Sequence, residues 1–175
     1  MKGGMLMVAL AVLGSLAGVA GGKEKARVLE VTKATPKLDV SVSQIGYRDT
    51  LLFYTFADKQ AVLKLQIGNK DKTFPMTGTV YLFAESVKEE DLKKWLNNQH
   101  SDGLFPEVPV PTSTLAVPAK ACKVTSNKFV EHTKQPLAGA FDTYTVTFEV
   151  TGFSPKKGIE VKGFTGTTKV HVQAK

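Results

Sequence analysis

The chain contains very little cysteine, and this bounds both its stability and its chemistry. Cys122 is the single cysteine, so no disulfide can form within one molecule. Stability must therefore come from a hydrophobic core, for which an apolar content of 42% in 175 residues is sufficient. Cys122 and Val124 share one face of a predicted strand, and Lys120 and Lys123 bracket Cys122, which is typical of a small thiol buried in a strand.

Arginine is almost as scarce as cysteine. Arg27 and Arg48 are the only arginines, so lysine carries nearly all of the formal net charge of +7. The planar guanidinium of arginine reads phosphate and guanine through paired hydrogen bonds, whereas lysine is a strongly hydrated point charge. The lysines are also dispersed along the chain. We therefore expect no nucleic-acid partner, and at most a weak attraction to acidic polymers or anionic lipid.

Motifs of catalysis and metal binding are missing as well. The chain has no Gly-x-Ser-x-Gly sequence and no glycine-rich phosphate loop after a strand. His100, His132 and His171 are widely separated, and the segment from Asn98 begins like a calcium loop but has Pro109 where a carboxylate belongs. These absences predict a protein that is not an enzyme and holds no metal or cofactor. An unrecognised hydrolase, with groups gathered from separate strands, is the less favoured alternative.

The amino terminus carries a long apolar run. Residues 5–20 are almost wholly Met, Leu, Val, Ala and Gly, with Lys2 before them and charges beginning at Lys23 after them. Such a short run ending in small residues predicts a secretory signal peptide over residues 1–20. We expect cleavage at or shortly after Ala20, no stable membrane span afterwards, and a periplasmic or secreted protein. An uncleaved membrane anchor is the alternative.

Most of the remaining chain alternates apolar and polar residues with the period of two that predicts half-buried strands. The clearest segments are residues 38–43, 51–57, 61–67, 80–84 and 143–153. Residues 158–164 and 168–172 are expected to form a hairpin around residues 165–167. Seven to nine strands predict a mainly β fold, an antiparallel β-sandwich that is immunoglobulin-like or fibronectin-like, with a small barrel as the alternative. Residues 21–37 would be a tether or edge strand, and residues 38–175 the single domain.

One helix, at about residues 87–97, is expected to interrupt the strands. Ser86 and Glu89 have the spacing of a capping box, which marks the start of a helix. The apolar stripe at spacings of three and four, which would face the sheet, consists of Leu92, Trp95 and Leu96.

Residues 99–120 are rich in proline and other turn formers, and they predict the longest irregular segment. Long loops on rigid β scaffolds often carry recognition. The candidate partner-binding residues are Leu104, Phe105, Pro106, Val108, Pro109 and Pro111. The predicted function is an exported, non-catalytic β-sandwich domain that binds a protein or surface-polymer partner in the cell envelope or outside the cell. Binding would use this loop or a sheet edge, and the oligomeric state is left open.

A carbohydrate-binding module is the alternative function. Such modules expose a planar row of aromatic side chains, and the candidates for outward display are Tyr47, Tyr54, Tyr81 and Phe105. Most aromatic residues fall on the inward phase of their strands, so packing in the core or at the sheet rim is the favoured interpretation of these four side chains.

Removal of residues 1–20 can be checked directly on the mature protein. Because small residues at positions 18 and 20 suit the subsites of a signal peptidase, we expect the mature chain to begin at or close to Gly21. Mass spectrometry of the protein purified from exporting cells measures this terminus. An intact amino terminus at Met1 would contradict the signal peptide.

Overall fold

The computed structural model describes residues 25–34, 38–40, 49–98, 108–137 and 139–174. The predicted signal peptide, residues 1–20, lies outside the described residues. The described part forms twelve strands and one α-helix. In chain order these are β1 (Arg27–Leu29), β2 (Val31–Ala34), β3 (Leu38–Val40), β4 (Asp49–Phe56), β5 (Ala61–Ile67), β6 (Met76–Leu82), α1 (Glu89–Asn98), β7 (Ser113–Val117), β8 (Cys122–Gln135), β9 (Gly139–Val150), β10 (Phe153–Lys156), β11 (Ile159–Val161) and β12 (Phe164–Gln173).

Three sheets organise the described strands. The central sheet has the order β2-β4-β5-β6-β7, and β3 also pairs with β4. A second sheet has the order β12-β9-β8, and a small third sheet has the order β1-β11-β10, in which β1 and β11 are parallel. The mainly β fold with antiparallel sheets and one helix is confirmed and is consistent with a sandwich. The strand order does not confirm an immunoglobulin-like topology, and short strands such as β1 and β11 raise the count above the expected seven to nine.

The central sheet buries both of its faces, as the sequence of β4 indicates. Successive side chains of a strand point to opposite sides, and β4 contains the apolar run LLFY. One face packs on the second sheet in the main core, which includes Leu52, Tyr54, Phe56, Leu63 and Leu65 opposite Val146, Phe148 and Val150. The other face packs on the helix in a smaller cluster of Leu51, Phe53, Val62, Phe83, Leu92, Trp95 and Leu96. The predicted apolar stripe of the helix therefore faces the sheet.

The helix starts later than the capping-box pattern predicts. α1 begins at Glu89, and Ser86 lies in the preceding turn, where the Val87 N–H donates to the Ala84 C=O at 3.0 Å. The prediction of a capping box at Ser86 is therefore wrong, because that residue belongs to the turn that leads from β6 to the helix. An ion pair of 2.9 Å between Glu89 and Lys59 instead connects the first helical turn to the β4–β5 turn.

The predicted hairpin around residues 165–167 is also wrong, because β12 runs through this segment without a turn. Gly166 lies opposite Phe148 in the pairing of β12 with β9. A Cβ atom at Gly166 would lie 2.4 Å from Cζ of Phe148 and 2.9 Å from the Tyr54 hydroxyl. The glycine therefore permits close packing of two aromatic side chains against the backbone of β12, and it does not mark a turn.

Gly166→Ala should destabilise the protein, since the added methyl group displaces the Phe148 ring from the main core. We expect a loss of about 1–3 kcal/mol in the free energy of unfolding, as for other overpacked core positions. Urea denaturation measures this loss. The matched control is Gly152→Ala, whose added Cβ has its nearest neighbour at 3.4 Å. Equal stability of the two variants would contradict the packing argument.

Candidate binding surface

The predicted irregular segment, residues 99–120, is described only from residue 108 onward, and the prediction is wrong at Ser113–Val117, which form β7 against β6. Leu104, Phe105 and Pro106 lie outside the described residues. Val108 packs against the cluster between the helix and the central sheet, so it contributes to the core. Pro109 and Pro111 are half-buried. The Thr112 N–H and hydroxyl both donate to the Leu82 C=O, at 2.7 and 3.0 Å, and anchor this end of the loop to the end of β6.

Two of the aromatic candidates for carbohydrate binding are packed against other aromatic side chains. Tyr54 is buried in the main core against Phe148 and Phe164, and this burial raises the pKa of its hydroxyl to about 12. Tyr81 packs edge-on against Trp95 of the helix, with 4.8 Å between ring centroids. Neither residue forms part of an exposed aromatic row. Tyr47 and Phe105 lie outside the described residues.

A different surface is found at β8, one of the two edge strands of the second sheet among the described residues. Near its start, Cys122 and Val124 contribute to the main core, but residues 127–137 are all exposed. Phe129 and Val130 are 57% and 45% exposed, and Leu137, in the turn before β9, is fully exposed. Large apolar side chains grouped on an edge strand are characteristic of interaction sites. We call residues 126–133 the β8 edge.

The β8 edge contains a β-bulge at Val130. Phe129 pairs with Tyr144 and Glu131 pairs with Thr143, so two steps along β8 match one step along β9. The extra residue changes which side chains share a face. Lys128 pairs with Thr145, which lies two residues from Thr143, so Lys128 and Glu131 point to the same side of the sheet although they are three residues apart.

An ion-paired cluster lies on the other face of the second sheet, opposite to the face of Lys128 and Glu131. The Asp142 carboxylate on β9 accepts from Lys72 Nζ at 2.7 Å and lies 2.8 Å from His132 Nδ1. The Lys72 ammonium also lies 5.9 Å from the ring centroid of Tyr144. The Tyr144 ring in turn contacts Phe129 edge-on at 5.8 Å. The exposed Phe129 ring therefore lies against the Tyr144 ring of β9.

The backbone of the β5–β6 connection places Lys72 in this cluster. Asp71 and Lys72 have φ values of 51° and 58°, in the left-handed region that favours glycine. Each such residue costs about 1 kcal/mol and persists where its surroundings fix it. The bond from Lys72 to Asp142 is one such fixed contact, and it joins the central sheet to the second sheet.

The electrostatics of the cluster follow from this geometry. The hydrogen bond from Lys72, followed by that from His132, holds the pKa of Asp142 below its usual value. The same bond from Lys72 to Asp142, with a further one to Tyr144, raises the pKa of Lys72. Both effects favour the charged forms, so the pair is an ionic connection at neutral pH.

The chemical capacity of the described residues is limited. The His132 ring is hydrogen-bonded to Asp142, and no hydroxyl or thiol of the described residues is shown bonded to the His132 ring. His171 pairs with Thr143 and thus lies on the opposite face of the sheet from His132. Within the described ranges, no group of three His, Cys, Asp or Glu side chains could hold a metal ion. Cys122 is buried, and burial raises the pKa of its thiol, which makes it a poor nucleophile.

Comparisons with known proteins add no assignment. No family model, no curated protein and no solved structure matches this chain. Among the described residues, no helix is long and apolar enough to cross a membrane.

Asp142→Asn should weaken the acid sensitivity of the protein. A carboxyl group whose pKa is lowered on folding stabilises the native state above its unfolded pKa, and that stability is lost as the pH falls through the folded pKa. The wild-type urea midpoint should therefore fall as the pH drops below 3.8, the ordinary value for Asp, and the fall should be smaller in the variant. Glu160→Gln, at an exposed position on β11, is the control and should behave as wild type.

Proposed function

We propose that this chain is an exported, non-catalytic binding domain that recognises a partner protein through the β8 edge, in the cell envelope or outside the cell. The observation that carries the proposal is the row of exposed residues on an edge strand, with Phe129 and Val130 at its centre. An edge strand offers unpaired backbone N–H and C=O groups, and recognition by strand addition uses these groups for affinity.

The contact of the Phe129 ring with Tyr144 supports a recognition role. An aromatic ring held by Tyr144, and connected through it to Lys72 and Asp142, loses little conformational freedom when a partner covers it. Aromatic side chains of this kind are common energetic centres of protein interfaces. The basic character of the strand, with Lys123, Lys128 and Lys134 against Glu131, adds electrostatic steering.

The alternatives have less support from the described residues. A carbohydrate-binding role would need exposed aromatic rings, and two of its candidates, Tyr54 and Tyr81, are packed against other rings. A hydrolase would need a nucleophile or a second catalytic carboxyl beside the His132–Asp142 pair, and Asp142 is instead bonded to Lys72. The ion pair thus favours a structural function for these groups.

A photo-cross-linking residue placed at Phe129 tests the proposal. In cells that export the protein, we expect light to produce one discrete cross-linked protein species, because the partner contacts this ring. The matched control carries the same residue at Lys157, in the exposed turn between β10 and β11. Absence of any adduct at position 129, or the same adducts from both positions, would contradict recognition through the β8 edge.

A further inference from the structure

We propose that the partner of the β8 edge is a second copy of this chain, paired antiparallel about a two-fold axis that passes between Phe129 and Val130. This inference rests on the proposed function of the β8 edge and names its partner. The resulting dimer would have one continuous six-stranded sheet, in the order β12-β9-β8 followed by β8-β9-β12 of the second copy.

The bulge at Val130 determines which kind of strand can pair in register with the β8 edge. A bulge normally protects an edge strand, since it interrupts pairing with a regular strand. In an antiparallel pair, residues that lie directly opposite each other must point to the same face of the sheet. Side chains beyond the bulge on β8 have changed face relative to those before it, so a regular strand matches one half of the β8 edge and mismatches the other half.

A second copy of β8 carries the same bulge and removes this mismatch. With the axis between Phe129 and Val130, each residue faces the one at the same distance on the other side of the axis. Lys128 then faces Glu131, and both point to the side of Thr143 and Thr145. Farther along the pair, Asn127 faces His132 and Ser126 faces Thr133, again on matching faces. Backbone N–H and C=O directions alternate with the same period, so the bulge brings them into register too.

Charge and polarity are also complementary in this register. Each Lys128 lies opposite a Glu131 of the second copy, and the symmetry produces two such pairs. Phe129 and Val130 face each other across the axis, which covers two of the exposed apolar side chains of the described chain. Moving the axis onto Val130 or Phe129 places side chains from opposite faces against each other. The self-pairing register is thus fixed by the bulge and favoured by the charges.

Charge exchange between two variants tests the pairing. Lys128→Glu alone and Glu131→Lys alone each turn both attractive pairs into repulsive ones, so each should weaken self-association by about tenfold or more. A mixture of the two variants restores both pairs, since each position 128 again faces a position 131 of opposite charge on the other chain. Native mass spectrometry or analytical ultracentrifugation of the full chain should show a heterodimer at least as stable as the wild-type dimer.

The control keeps the net charges and changes the position. Lys169→Glu replaces an exposed lysine on β12, the other edge of the same sheet, and should leave self-association unchanged. Its mixture with Glu131→Lys has the same net charges as the test mixture, but its heterodimer has one attractive and one repulsive pair. It should therefore be weaker than the heterodimer of the test mixture, in which both pairs are attractive. Circular dichroism checks that all three variants fold.

The outcomes separate this inference from the proposed function. A wild-type chain that stays monomeric at millimolar concentration, or a dimer that is insensitive to Lys128→Glu, overturns self-pairing through the β8 edge. If that result accompanies a cross-link from position 129 to a different protein, recognition through the β8 edge stands with another partner. If position 129 yields no cross-link at all, both the inference and the proposed function fail.

Discussion

The difference in length between the two packed sheets is the constraint on which this architecture depends. β8 and β9 have 14 and 12 residues, whereas β5 and β6 of the central sheet have 7 each. Residues of the second sheet that lie over the central sheet are buried, as at Phe148 and Val150. The part of β8 that extends beyond this contact has no layer of described residues to cover it. An exposed, partly apolar strand edge is the direct consequence.

The ion-paired cluster connects this strand edge to the rest of the structure. Lys72 reaches from the connection between β5 and β6 to Asp142, which also contacts His132 on β8. The cluster therefore joins the end of the central sheet to both long strands of the second sheet. The aromatic contacts of Tyr144 with Phe74 and Phe129 lie beside it and extend the connection from the core to the surface. The proposed recognition at the β8 edge would thus use a strand that is connected to the core by these contacts.

Local patterns in the sequence predicted much of the fold but little of this site. The alternation in β5 and β9 and the apolar stripe of α1 identify the elements and their buried faces, because both are properties of neighbouring residues. The prediction of a turn at Gly166 was wrong, since the reason for this glycine is the Phe148 ring on another strand. Lys72 and Asp142 are 70 residues apart, and no local period brings them together. The two adjacent apolar residues Phe129 and Val130, which break the alternation of β8, were the one local signal of the bulge.

Amide hydrogen exchange, followed by NMR at increasing protein concentration, tests self-pairing through the β8 edge most directly. Self-pairing predicts that the amides of residues 126–133 become more protected as the concentration rises, while those of β4 and β5 keep their protection, because only the former gain hydrogen-bond partners in a dimer. Exchange at the β8 edge that stays rapid and independent of concentration would contradict self-pairing.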